Sequence, residues 1–363
     1  MHELMKRVTE RLKNPPLSAE DLKKEIIIFP SIGWAKPTFE ELEDSKFKVS
    51  AISDMVAPGQ FMDFLSPDYF IRRKIIPIDD VLENHKDKVL LVAIWDRDNR
   101  LENIEIFRGQ GFPIVTDING YTFSEACAGN IHHQKELYYL EKAWDYFTDE
   151  SEREIILNKA LIYLGVIDVM PFELPQYFID FMDITEDEIF ADCGFFNGDT
   201  AESFIKETNN KFKKYYAFEP NAKNIEAAKP EIKSDPHIVI TQAGVYSHCT
   251  TLMFNDEHAD ASSFTLMGEG HTEVPVISLD AFFADKEKPT FIKMDIEGSE
   301  IQAILGAKTL IQTYKPKLAI CLYHKPEDMI EIPRLIKEIL PEYKFLLKQH
   351  RDIGSETVLY CKI

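Results

Sequence analysis

Short apolar runs punctuate the chain between Lys24 and Ile118: EIIIF at 25–29, KVSAIS at 48–53, KVLLVAIW at 88–95 and FPIVTDI at 112–118. Helical stretches fill the gaps, an alternation that predicts βαβ units on a parallel sheet. From His132 to about Pro175 the period lengthens. In LYYLEKAWDYF and SEREIILNKALIYL apolar side chains return every three or four positions, which predicts amphipathic helices. Pro171 and Pro175 break that pattern, and a second series of strands begins at EIFADCGFF and runs through KYYAFEPN, HIVITQAGVYS, TFIKMDIEG and KLAICLYHKPED. The chain closes on YKFLLKQHRDIGSETVLYCKI, two apolar runs about a turn at Gly354, which predicts an antiparallel hairpin. The expected fold is α/β: a Rossmann-like domain over 1–125, a helical connector over 126–181 and a second Rossmann-like domain over 182–363.

A length of 363 residues exceeds what one hydrophobic core usually serves and agrees with two domains. With 45% hydrophobic and 28% charged residues the chain has the balance of a globular protein, not of a disordered or fibrous one. Its 41 basic residues against 62 acidic ones leave a net charge of −21, a field that repels phosphate backbones and anionic lipid surfaces. Nucleic acids and membrane surfaces are therefore not expected partners. A local pocket can still hold a phosphorylated small molecule, so nucleotide-linked substrates stay open. The five cysteines are odd in number and free of any CxxC pair, which argues against a disulfide framework or a zinc site and suits a reducing cytoplasm. No apolar run approaches the ~18 residues of a membrane span, so none is expected.

Chemistry-bearing residues concentrate in the second half. In the first, the turn PSIGWAK has only Gly33 where a dinucleotide-binding turn would show G-x-G-x-x-G, although Asp54 follows the second strand where a ribose contact would fall. In EIFADCGFFNGDTAESFI, residues 188–205, an apolar strand ends in Asp192 and Cys193, glycines follow at Gly194 and Gly198, and a helix opens at Asp199 with Glu202 three positions on, like a capping box. Glycine lets backbone approach a ligand closely, and a helix N-terminus offers free N–H groups to a carboxylate. Asp192, Cys193, Gly194, Phe195, Gly198 and Asp199 are thus candidate cofactor contacts. The spacing suits an amino-acid tail, such as the methionine end of S-adenosylmethionine, better than a pyrophosphate; a ligand-free strand-to-helix turn is the alternative.

The second strand of this series brings Glu219, then Pro220 and Asn221, to its end, where a carboxylate can accept both ribose hydroxyls. Gln242 and Ala243, with Gly244, close the third strand and leave room for an adenine ring. The fourth delivers Asp295 and Glu297 to the same edge, and the fifth delivers His324 and Lys325. An imidazole beside carboxylates can remove a proton from a hydroxyl, which makes His324 and Asp295 candidate catalytic residues and Glu297 and Lys325 candidate substrate contacts. A lone histidine can equally brace a loop. The same side chains are competent metal ligands, but their spacing is not tight and no metal is assigned.

The strings FADCGFFNGDT, YAFEPN, AGVYS, VPVISLD, FIKMDIEGSEIQAILGA, YHKPED and ETVLYC, in that order, resemble the FkbM-type methyltransferases. The first half resembles the degenerate Rossmann-like domain that precedes some members. This resemblance implies a class I methyltransferase sheet ending in an antiparallel hairpin, and an S-adenosylmethionine cofactor held by the loop from Asp192 to Asp199 and by Glu219. It also implies a substrate edge at Asp295, Glu297 and His324, and methylation of an oxygen on a small-molecule or glycan substrate, such as a sugar precursor of bacterial surface polysaccharide. Phe195-Phe196 departs from the family's smaller residues at that turn. The alternative readings are an NAD-dependent oxidoreductase or epimerase, which lacks its glycine motif here, and a non-catalytic nucleotide-binding module. Acceptor specificity is expected in loops such as 255–272.

Overall fold

The computed structural model describes residues 2–11, 16–30, 48–55, 58–66, 69–94, 96–129, 133–166, 170–255, 263–265, 272–352 and 354–363. The Gly33 turn and most of the 255–272 loop lie outside them. The chain forms two compact units, Met1–Leu137 with Leu157–Asp168, and Tyr138–Ile156 with Val169–Ile363. The helices predicted as a connector, Gln134–Tyr146 and Glu150–Tyr163, are shared between them.

In the first unit the strands are β1 (Ile26–Phe29), β2 (Val49–Asp54), β3 (Phe61–Ser66), β4 (Tyr69–Pro77), β5 (Val89–Val92) and β6 (Val115–Asp117). They form one sheet in the order β3-β4-β2-β1-β5-β6, parallel except for β3 against β4. Ile26, Ile28 and Leu91 belong to one apolar cluster and Ile27, Phe29, Leu90 and Val92 to another. That alternation is the period-two pattern of strands covered on both faces, and it explains why these runs are uniformly apolar. The hairpin of β3 and β4 was not among the predicted elements, because Arg72, Arg73 and Lys74 interrupt the apolar run of β4.

In the second unit the strands are β7 (Ile189–Cys193), β8 (Lys214–Phe218), β9 (Ile238–Thr241), β10 (Gly244–Val245), β11 (Thr250–Asn255), β12 (Ser263–Thr265), β13 (Thr272–Ile277), β14 (Phe291–Met294), β15 (Lys317–Cys321), β16 (Lys344–Gln349) and β17 (Thr357–Lys362). Seven build a sheet in the order β16-β17-β15-β14-β7-β8-β9. From β15 to β9 the pairings are parallel, and β17 runs antiparallel to both β15 and β16, the expected terminal hairpin. The predicted third strand divides in two. It breaks at Gln242 and Ala243, where the Ala243 N–H turns back to the Thr241 carbonyl, and β10 leaves for a small sheet of order β10-β13-β11-β12.

The core beneath the seven-stranded sheet is aromatic. Phe190 lies with its ring centroid 4.7 Å from Phe291, 4.8 Å from Phe204 and 5.1 Å from Tyr215, and it is fully buried. Chain order reverses between β7, which continues to β8, and β14, which continues to β15. Such a reversal opens a crevice at the C-terminal ends of the strands, where open parallel sheets take their ligands. No helix among the described residues is long and apolar enough to cross a membrane, and the five cysteines are unpaired.

Candidate active site

The crevice is built from the two central strands upward. Asp192 of β7 and Lys293 of β14 are register partners, so their side chains stand next to each other on one face. Both are sealed from solvent, and Lys293 Nζ lies 3.0 Å from Asp192 Oδ1. The ammonium also donates to the Gly194 carbonyl at 2.6 Å and sits 5.3 Å from the centroid of the Tyr177 ring. Tyr215 donates its hydroxyl to the second Asp192 oxygen at 2.5 Å. Burial pushes the Lys293 pKa down, but the facing Asp192 and Asp295 carboxylates outweigh it and hold the group charged.

Above this pair the chain turns tightly. Gly194 has φ 89, and a Cβ there would fall 1.8 Å from the Asp295 carbonyl oxygen, so the turn after β7 admits no side chain at this position. Its N–H and that of Phe195 both donate to the Phe218 carbonyl, at 3.0 and 3.1 Å, which draws the turn onto the end of β8. Phe195 then points into the core and Phe196, at φ 51, is the exposed member of the pair. The Phe196 N–H donates to Glu219 Oε2 at 2.9 Å, while Glu219 Oε1 accepts from the Asn221 N–H at 2.8 Å and from the Asn224 amide at 3.3 Å. Burial pushes the Glu219 pKa up, and these donors oppose the shift.

Across the crevice, Asp295 follows β14 directly. It accepts from the hydroxyls of Tyr177 at 2.9 Å and Tyr323 at 3.0 Å, and His324 Nε2 stands 3.3 Å away. Burial would raise its pKa, but His324, Lys293 and the Tyr177 hydroxyl bring it well below the usual carboxylate range. Glu297 Oε2 approaches the same nitrogen of His324 at 3.5 Å, and Glu300 Oε1 flanks the other edge of the ring, 3.0 Å from Nδ1. Burial pulls the imidazole down, but Asp295 and Glu300 outweigh it and raise its pKa to about 10. Glu356 completes the cluster, with Gln176 donating to it at 2.6 Å and Tyr323 at 3.3 Å. The whole encloses a cavity of about 740 Å³, in the size range of small-molecule sites.

Residues 192–351 match the family model described as the Methyltransferase FkbM domain. The chain carries a methyltransferase FkbM domain. The crystal structure of methyltransferase FkbM from Methylobacillus flagellatus KT is similar over 99% of this chain and 98% of its own, at 20% identity and TM-score 0.64, a likeness of fold. Precorrin-6y C5,15-methyltransferase from Geobacter metallireducens GS-15 aligns with 53% of this chain and 94% of its own, at 9% identity and TM-score 0.33. Among curated proteins none matches the chain in sequence.

Of the residues expected to contact cofactor or substrate or to act in catalysis, Gly194, Asp199, Glu219, Pro220, Asp295 and Glu297 line the cavity. The other expected contacts stand behind its wall. Asp192, Cys193 and Phe195 are buried beneath it; Gly198 precedes the helix Asp199–Glu207 as its N-cap, so Asp199 is not the cap residue. Asn221 caps the helix Ala222–Ala227, and Gly244 and Val245 take the wall position expected of Gln242 and Ala243. Lys325 donates to the Gly298 carbonyl. His324, expected as a catalytic base, does not line the cavity, and the Asp295 and Glu300 carboxylates that raise its pKa to about 10 disfavour the neutral imidazole a base needs.

Sequence reasoning missed Lys293, Tyr177, Glu300, Tyr323, Arg351 and Glu356. Lys293 carried a signal, a lone charge in the apolar run FIKM of a strand buried along its length. A group able to hold a metal ion is Asp295, Cys321 and Glu356, whose ligand atoms lie within 4.8 Å of one another. The hydroxyls of Tyr177 and Tyr323 already donate into this group, so it is satisfied by the chain itself.

Two outcomes follow from these charges. Lys293→Met leaves Asp192 buried without a counter-ion and should cost about 3–5 kcal/mol in chemical denaturation, with much of the loss recovered when Asp192→Leu is added. The His324 pKa is higher folded than unfolded, so its stabilisation is complete below about 6.5 and is lost as pH rises through about 10. The thermal midpoint should therefore fall across that window, and His324→Gln should flatten the fall.

Proposed function

We propose that this chain is an S-adenosylmethionine-dependent methyltransferase that methylates an oxygen of a sugar or glycan precursor, as in surface polysaccharide synthesis. In this reading residues 182–363 are the catalytic domain, 1–125 are accessory, and the enzyme works in the cytoplasm. The observation that carries it is Glu219, held in the cavity wall at the end of β8 with both carboxylate oxygens oriented by backbone N–H groups. Oε2 keeps a lone-pair direction for one ribose hydroxyl, and on Oε1 the second hydroxyl takes the place of the Asn224 amide at 3.3 Å.

The chemistry of the walls supports the same cofactor. Asp199, Glu219, Asp295, Glu297 and Glu356 face the cavity against Lys293 and Arg351, a negative balance that suits a sulfonium cation and opposes the pyrophosphate of NAD. When bound, the cofactor supplies a methyl group on sulfur and leaves as a neutral thioether. Glu219 takes the ribose, Gly244 and Val245 flank the base, and the turn from Gly194 to Asp199 and Thr200 faces the amino-acid end. Gln176, Tyr323, Glu297 and Glu356 offer hydrogen-bonding groups to a hydroxyl-rich acceptor. What Gln176, Tyr323 and Glu356 contribute to rate is orientation and exclusion of water, both large effects in a displacement of this kind.

Calorimetry separates this reading from a nicotinamide enzyme and from a non-catalytic module. S-adenosylhomocysteine should bind and NAD should not. Glu219→Gln should weaken the binding by about 10- to 100-fold, the worth of charge-assisted hydrogen bonds to two hydroxyls. Preference for NAD, or an unchanged affinity in Glu219→Gln, would defeat the assignment. Labelled S-adenosylmethionine with a panel of methyl glycosides and nucleotide sugars tests the acceptor class.

A further inference from the structure

Five carboxylates face the cavity, and four of them accept hydrogen bonds from the chain. Asp199 accepts from the Thr200 N–H at 2.7 Å, and Glu219 from two backbone N–H groups. Asp295 accepts from the hydroxyls of Tyr177 and Tyr323, and Glu356 from the Gln176 amide. Glu297 differs. Among the described residues no hydrogen bond engages its carboxylate, whose nearest charged neighbour is His324 at 3.5 Å. Its side chain is 40% exposed, and its backbone sits at φ 53, a conformation that L residues other than Asn and Asp rarely adopt. Tyr177, Phe196 and Glu356 of the same wall share this left-handed backbone, so what sets Glu297 apart is its half-exposed carboxylate with no hydrogen-bond donor among the described residues.

We propose that Glu297, and not His324, is the catalytic residue that accepts the proton of the acceptor hydroxyl. The inference rests on the methyltransferase reading above. In the step, the acceptor oxygen forms its bond to the methyl carbon while its O–H bond breaks and the proton passes to the Glu297 carboxylate. The carbon–sulfur bond breaks with its electron pair staying on sulfur, so a sulfonium becomes a thioether and a carboxylate becomes a carboxylic acid. The exposed side chain then returns the proton to solvent. His324 keeps its own proton throughout, between Glu300, Asp295 and Glu297.

Electrostatics agree with that division of roles. Burial raises the Glu297 pKa; His324 lowers it, and Asp295, Glu300 and Glu356, the other charged groups facing it, raise it. Asp295 is shifted the opposite way and is a poorer base.

The direct test needs no acceptor. In the unliganded protein with glutamate carboxyls labelled with carbon-13, several buried glutamates should titrate above the ordinary glutamate range, and the resonance that vanishes in Glu297→Gln should be one of them. A Glu297 resonance at or below the ordinary range would overturn the proposal. With labelled S-adenosylmethionine and the methyl glycosides, Glu297→Gln should lose at least about 100-fold in turnover with S-adenosylhomocysteine affinity unchanged, and Glu297→Asp should recover part of the loss. Turnover within a few-fold of wild type in Glu297→Gln would also overturn it. If the wild-type protein turns over no glycoside, the sugar reading fails instead, and the titration still decides the role of Glu297.

Discussion

The Lys293 ammonium, buried in the floor of the cavity between Asp192 and the Gly194 carbonyl, ties the two central strands to the turn that shapes the site. A charge this deep is tolerable because its partner stands beside it in the sheet register and Tyr215 closes the far side of that partner. From this anchor the rest follows in order. The Gly194 turn is fixed against β14, Phe196 is presented at the rim, its N–H orients Glu219, and Asp295 is set above Lys293. Electrostatic strength under the cavity and geometric order in its walls have the same source.

A second arrangement, centred on His324, sets the proton chemistry. Three carboxylates surround one imidazole and raise its pKa to about 10, which favours the cation over the base at neutral pH. That cation keeps Asp295 ionised and leaves Glu297 with free lone pairs on the cavity side. A histidine next to acids is usually read as a proton acceptor; here the number of acids decides against it.

Much of the fold was legible because it depends on local periodicity. The uniform apolar runs of β1, β5, β7 and β14 announce parallel strands covered on both faces, and the two runs about Gly354 announce the hairpin. Elements whose pattern is mixed were not legible, such as β4 with its three consecutive cations, or β10, cut from β9 by a two-residue break. At the site, residues adjacent to strand ends were found: Gly194, Glu219, Asp295 and Glu297. Side chains that arrive from distant segments, Tyr177 and Glu356, were not, since no local pattern records a contact with Asp295. Assigning Phe195 instead of Phe196 to the cavity failed for a related reason: positive φ values at Gly194 and Phe196 end the strand's alternation, so facing cannot be counted forward from β7.

Under the proposed function, a carboxylate-walled cavity at the β7–β14 crevice holds the methyl donor through Glu219. A crystal structure of the protein with S-adenosylhomocysteine tests it most directly. Density for the ribose should meet the Glu219 carboxylate, with the sulfur directed toward Asp295 and Glu297. A ligand bound elsewhere, or bound in this cavity with Glu219 untouched, would contradict it.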